Sequence, residues 1–323
     1  MDYTQTTPGR EAQLTHYTLD RHRYPNDPRG LTFVKQQGEH GLTSPQIVYL
    51  QGRRFMFVGG MFASNFITIF RWDGEIAVPS GVIMQWGGPL YRTSLTWPPN
   101  RPSGTFIWRD ENGDGNFQAS EFKPNTSLVR PGPFWVDSAG DIWMANLGDG
   151  PFFRYRFMGL DEVGNPIYTA SDVVTMPTPP GMSRVRRVWY DRASDTLVAA
   201  DQGSNNRRIG EIFVYRRYLG TNPAAPSVRF RSGAGTEASS LAVAGDYIFT
   251  VGFQTRGRVW INRLHDGAAV GVLTPGPEVG GPDATGWVDL LTGVSAHRRT
   301  DGEYLVFVEE NYRAKNLLYR WRP

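Results

Sequence analysis

The chain contains no cysteine. That excludes disulfides, thiolate metal sites and cysteine nucleophiles together. It also lacks any apolar stretch near the ~20 residues that a membrane-spanning helix needs. No run shows a 3.6-residue apolar period over ten or more residues, which removes the α/β classes. Basic residues form no cluster either. There are 34 Lys and Arg against 31 Asp and Glu, a net charge of +3. The pairs Arg186-Arg187, Arg207-Arg208 and Arg298-Arg299 stand far apart, as solvated or ion-paired residues do, so no nucleic-acid partner is expected. No Gly-x-Ser-x-Gly elbow, phosphate-cradling glycine loop or zinc-type histidine spacing occurs.

Aromatics and turn formers are abundant instead: 10 Trp, 14 Tyr, 18 Phe, 37 Gly and 23 Pro. This mixture suits short strands joined by tight turns. A strand-like run ending in small or polar residues recurs at 55–60, 142–146, 196–201, 247–252 and 304–309. Before each copy except the first stands another apolar run and a turn. The pairs are 133–137 with 138–141, 188–191 with 192–195, 241–243 with 244–246, and 295–298 with 300–302. After each copy comes an aromatic and Arg-rich run, at 66–72, 152–157, 211–216, 258–263 and 316–321, and in most a fourth, at 75–78, 167–170 and 268–273.

The unit is therefore four short antiparallel strands repeated roughly every 50 residues, the rhythm of propeller blades rather than of a sandwich. The wide interval between residues 55 and 142 has room for one compact extra blade containing the strand 105–108. The expectation is an all-β, six-bladed β-propeller with four-stranded antiparallel blades, occupying 1–323 as a single domain. Its blades are 45–86, 104–130, 131–180, 181–235, 236–280 and 285–323. The last blade lacks an outer strand, so the N-terminal segment 1–44 is expected to close the ring, through 14–19 in preference to 31–35. A β-sandwich, or two small β-domains, is the competing architecture.

One motif carries specific chemistry. Asp110, Asn112 and Asp114 fall at positions 1, 3 and 5 of a twelve-residue EF-hand calcium loop. Gly115 fills position 6, where the backbone turns sharply. Asn116 offers its carbonyl at position 7, Phe117 is the apolar position 8, Gln118 is position 9, and Glu121 at position 12 can bind bidentately. The flanks are not those of an EF-hand: a strand precedes the loop, and Pro124 prevents a long helix after it. The loop resembles the isolated calcium loops of extracellular bacterial propellers and of dockerin-like segments. A structural Ca²⁺ site is expected at Asp110, Asn112, Asp114, Asn116 and Glu121, since a lone loop has no groove to open as a sensor does. The competing reading is a self-solvating Asp/Asn/Gly turn.

The phrases at 135–143 (WVDSAGDIW) and 157–168 (FMGLDEVGNPIY) resemble NHL-type blades, best over 104–216. Similar wording occurs in secreted bacterial proteins. The resemblance implies a secreted or periplasmic protein, although the polar start, Met1-Asp2-Tyr3-Thr4-Gln5, is not a signal peptide. Its abrupt start and its end on a strand fit one domain of a larger protein. NHL-type propellers include binding scaffolds, lactonases and lyase-type enzymes, so the resemblance does not select an activity.

In a propeller, the loops after each second strand gather on one face. Here they carry Asn146, Asp201 and Glu309, similar in kind to the ligands of calcium-dependent lactonase-type propellers. Of the five histidines only His297 falls on an innermost strand. These four are weak catalytic candidates; capping of strands and turns is the competing role. Trp86, Tyr91 and Trp97 lie in the Pro/Gly-rich connection 87–102 or beside it, where flat rings could stack on sugars. The functional expectation is a calcium-stabilised binding module for a glycan or protein. The alternative is a Ca²⁺-dependent hydrolase or polysaccharide lyase acting at the polar mouth.

Overall fold

A computed structural model describes residues 43–59, 66–74, 76–85, 98, 100–125, 131–205, 208–286, 288, 292–310 and 315–323. The chain is an all-β propeller, with five blades among the described residues rather than the expected six. The first blade has six strands in sequence order: β1 (Thr43–Leu50), β2 (Arg53–Gly59), β3 (Phe66–Asp73), β4 (Ile76–Met84), β5 (Phe106–Arg109) and β6 (Phe122–Pro124). The second has β7 (Pro131–Val136), β8 (Ile142–Asn146), β9 (Phe152–Tyr155) and β10 (Val173–Met176). The third has β11 (Arg187–Asp191), β12 (Thr196–Gln202), β13 (Ile209–Arg216) and β14 (Val228–Arg231). The fourth has β15 (Ala238–Ala244), β16 (Tyr247–Gly252), β17 (Val259–Arg263) and β18 (Ala269–Leu273). The fifth has β19 (Val294–Arg298), β20 (Tyr304–Glu310) and β21 (Lys315–Trp321).

The lost blade has a physical reason. Among the described residues of 104–130, the strands are the four-residue β5 and the three-residue β6, too little to bury a core of their own. β5 pairs antiparallel with β4 instead, with Val82 opposite Trp108 and Met84 opposite Phe106. These side chains join Phe66 and Phe117 in one buried cluster. The segment thus widens the first blade and projects the loop 110–121 from its outer side. A second correction concerns the second blade. Its fourth strand is β10, not the run 167–170. Residues 158–167 form a small hairpin in which Met158 and Ile167 are bonded and Leu160 bridges Pro166.

Burial follows the repeat. β8 and the apolar stretches of β2 and β12 are buried on consecutive residues, as expected for strands covered on both faces. Among the described residues the α-helical element is Tyr218–Thr221, four residues long, and no helix is long and apolar enough to cross a membrane. The expected closing segments 14–19 and 31–35, and Trp86, Tyr91 and Trp97, lie outside the described residues.

The chain divides into two compact units. One comprises Met1–Pro131, Val136–Trp143 and Phe153–Thr175. The other comprises Gly132–Trp135, Met144–Phe152 and Met176–Pro323. The first holds the cluster around Trp108 and a second one of Met56, Val58, Phe70 and Ala77. The second holds a core of β12, β13, β15 and β16 side chains and another where Phe249, Val259, Val306 and Leu317 meet.

Candidate metal centre

The loop 110–121 belongs to the first unit and is anchored at both ends. Asp110 is fully buried at the end of β5, and its N–H donates to Ser80 O at 3.3 Å. Glu121 closes a single 3₁₀ turn, Ala119–Glu121, immediately before β6. Between them the loop folds on its own polar groups. Asn112 Oδ1 accepts from Asp114 N (3.0 Å), and Asp114 Oδ1 accepts from Asn116 N (2.8 Å). Asp114 Oδ2 accepts from Gln118 Nε2 (2.7 Å). Asp110 Oδ2 accepts from Gly115 N (3.0 Å), across the turn that Gly115 makes with φ +74°. A side chain there would meet Val78 Cγ1 at 2.7 Å, so glycine is required on both counts.

Glu121 is buried with both oxygens engaged. Oε1 accepts from Glu111 N (3.0 Å), and Oε2 accepts from Trp108 Nε1 (2.9 Å) and Gln118 N (3.4 Å). Burial raises its pKa above the usual carboxylate value; the bond from Trp108 opposes this and the charge of Asp110 adds to it. Asp114 moves the other way. Burial works against ionisation, but the bonds from Asn116, Gln118 and Asn112 together hold its carboxyl below the usual range.

The donor set suits a hard cation in type: three carboxylates, the amides of Asn112 and Gln118, and the Asn116 carbonyl. Two buried oxygens of the loop, Asp110 Oδ1 and Gln118 Oε1, accept no hydrogen bond among the described residues. Such orphaned acceptors call for an explanation, an ion among them. Among the described residues, however, no group of three His, Asp or Glu side chains is drawn together closely enough to hold a metal. Asp110 is turned partly to another cation. Arg71 Nη1 bonds Asp110 Oδ2 at 2.5 Å, and Arg71 Nη2 bonds Gly113 O at 2.6 Å.

The hairpin 158–167 packs on the same loop. Buried Asn165 donates from Nδ2 to Asp110 O and accepts Arg71 Nη1 at 3.0 Å. Arg109 Nε pairs with Asp161 Oδ2 at 3.0 Å. Arg71 and Asn165 are the residues that reading the sequence missed. They stand 39 and 55 positions from Asp110, and only the pairing of strands brings them to it.

The catalytic candidates fall in the second unit. Asp201 and Asn146 enter one Arg-rich cluster. Asp201 Oδ1 accepts from Ser183 Oγ (2.8 Å) and the N–H groups of Arg184 (3.0 Å) and Gln202 (2.7 Å), and Oδ2 accepts from Ser183 N (3.0 Å). Asn146 Oδ1 accepts from Gly148 N (2.8 Å), and its Nδ2 donates to Pro151 O (2.8 Å). Arg186 reaches both the Asn146 carbonyl and Gln202 Oε1, which Arg184 also binds. Asn146 thus closes its own turn, and Asp201 ties the segment Ser183–Arg184 to the end of β12. Glu309 is half-buried near the end of β20, and His297 is exposed on β19.

No protein-family model matches the chain, and no curated protein matches it. Among solved structures it is similar to Hsv2p of Kluyveromyces lactis, with 13% identity and a TM-score of 0.40, over 83% of this chain and 71% of that one. KlHsv2 with loop 6CD replaced by a Gly-Ser linker gives 13% identity and a TM-score of 0.39, over 84% and 79%. Likeness at this level carries no argument about function.

Proposed function

We propose that this chain is a calcium-stabilised binding module of the exported type, presenting a propeller surface to a glycan or a protein. The observation that carries the calcium reading is Asp110. It is buried, it opens a loop with acceptor side chains at every ligand position of the EF-hand spacing, and its Oδ1 has no donor. Asp110, Asn112, Asp114, Asn116 and Glu121 would hold the ion. When bound, calcium would neutralise the three carboxylates and tie β5 to β6. The role is structural, because the loop leaves a strand and enters a strand, with no helix pair to swing.

A binding role rather than turnover is supported by the use of the acid and amide candidates. Asp201 accepts four hydrogen bonds, three from the segment Ser183–Arg184 and one from Gln202 N, and Asn146 is spent on its own loop. Isothermal titration with calcium, together with thermal unfolding in calcium and in chelator, tests the metal. Saturable binding and a higher midpoint in calcium are expected. No heat and no shift at millimolar calcium refutes it. A glycan array and a pull-down, each with calcium and with chelator, test the partner.

A further inference from the structure

Of the cationic groups described beside the loop, Arg109 and Lys123 pair with Glu111 at position 2, whereas the Arg71 guanidinium bonds Asp110, the first candidate ligand. Arg71 lies on β3 with its backbone fixed by pairing to Phe55 on one side and Val78 on the other. Its side chain is 13% exposed and reaches Asp110 Oδ2, Gly113 O, Asn165 Oδ1 and, at 3.4 Å, Pro79 O. Both contacts inside the loop fall within the residues that would surround an ion, one at the first ligand and one at the fourth position.

We propose that Arg71 is a built-in counter-cation of the calcium loop. It holds Asp110 when no metal is bound and weakens calcium affinity toward the range of extracellular modules. The inference rests on the calcium reading of residues 110–121.

The physical case has two sides. Asp110 and Glu121, both buried, repel one another, and burial strengthens that repulsion; Asp114 adds a third carboxylate to the loop. Arg71 sets a positive charge directly against one of the three carboxylates, that of Asp110. The same charge opposes a divalent ion gathered by Asp110. Calcium affinity in such loops follows the charge count and rigidity of the ligands, and sites in extracellular modules work at about 10⁻⁴–10⁻³ M. A fixed cation against the first ligand lowers the effective count without removing an oxygen. It also accounts for the carboxylates not being drawn together, since Asp110 already has a cationic partner.

The two sides predict opposite signs from one substitution, which a merely structural ion pair does not. Arg71→Met in the full chain is compared with wild type by calcium titration, by terbium luminescence excited through Trp108, and by thermal unfolding in chelator. Trp108 is a fitting sensitiser because its Nε1 touches Glu121 Oε2. The expected result is a lower midpoint in chelator with calcium binding tightened by about tenfold or more. Arg71→Lys keeps the charge but loses the planar fork. It should also lower the midpoint in chelator, while its affinity stays within about threefold of wild type.

Wild-type binding that is unchanged or weaker in folded Arg71→Met overturns the counter-cation and leaves the calcium reading intact. Should Arg71→Met not fold, a tenfold tightening in Arg71→Lys overturns it as well. No calcium or terbium signal in any folded protein refutes the calcium reading, and the inference with it.

Discussion

Two acid-rich segments of the first unit look alike in sequence and differ in how they use their oxygens. In the turn 137–143, Asp137 is buried, with Oδ1 accepting from Ala139 N (2.9 Å) and Asp141 N (3.1 Å) and Oδ2 accepting from Trp143 Nε1 (3.0 Å). The main chain closes the same turn through Gly140 N to Asp137 O at 2.9 Å and Asp137 N to Asp141 O at 3.0 Å. Everything Asp137 needs comes from its own seven residues. In the loop 110–121, Asp110 draws on Gly115 from within and on Arg71 and Asn165 from outside, and still has an oxygen without a donor. A buried carboxylate supplied by its own turn is a staple. A buried carboxylate left with spare valence is a candidate ligand.

The largest effect should come from breaking the staple. Asp137→Ala strands three donors at once, two of them buried, at a cost of about 3 kcal/mol in unfolding free energy. Urea denaturation checks this, and the loss should be the same in calcium and in chelator. A loss that disappears in calcium would show that the two segments are not independent, and the contrast drawn above would fail.

The turn at 138–141 was readable from the sequence because its bonds are local, although the part played by the Asp137 carboxylate was not read. Most strands were readable too: the expected runs 142–146 and 247–252 coincide with β8 and β16, since apolar runs and turn residues act within a few positions. The number of blades was not readable. Whether 105–108 starts a new blade or extends the old one depends on Val82 and Met84 matching Trp108 and Phe106 across a long connection, and no local signal encodes that register. The candidate site divides along the same line. Spacing announced the loop's candidate ligands, whereas Arg71 on β3 and Asn165 in the hairpin arrive only through the fold.

An intermediate effect should follow Gly115→Ala. The position needs φ +74°, and a Cβ meets Val78 Cγ1. Backbone strain and crowding together cost about 2 kcal/mol. Unlike the Asp137 change, this one should also weaken calcium binding, because it shifts the N–H that orients Asp110. Thermal unfolding and calcium titration of the same variant read the two consequences. Stability lost with affinity untouched would argue that the turn at Gly115 does not shape the ligand set.

The smallest effect is the most diagnostic, because its sign reverses with the metal. Burial raises the pKa of Glu121, with Asp110 adding to it. A carboxylate raised in the folded state binds its proton more readily there than in the unfolded chain. In chelator its contribution is therefore most favourable at acidic pH and declines as pH rises from the ordinary carboxylate value through the folded one. Glu121→Gln removes that penalty while keeping an acceptor for Trp108. In chelator at neutral pH the variant should be slightly more stable than wild type, by less than the Gly115→Ala loss, and the difference should vanish below the ordinary carboxylate range. In calcium the order inverts, since the amide cannot supply the charged bidentate ligand. Thermal midpoints across pH 4 to 8, ~1 unit apart, with and without calcium trace both curves. Curves that keep one order in both conditions would mean that Glu121 serves only Trp108 and the 3₁₀ turn, and that the loop closes like the staple at Asp137.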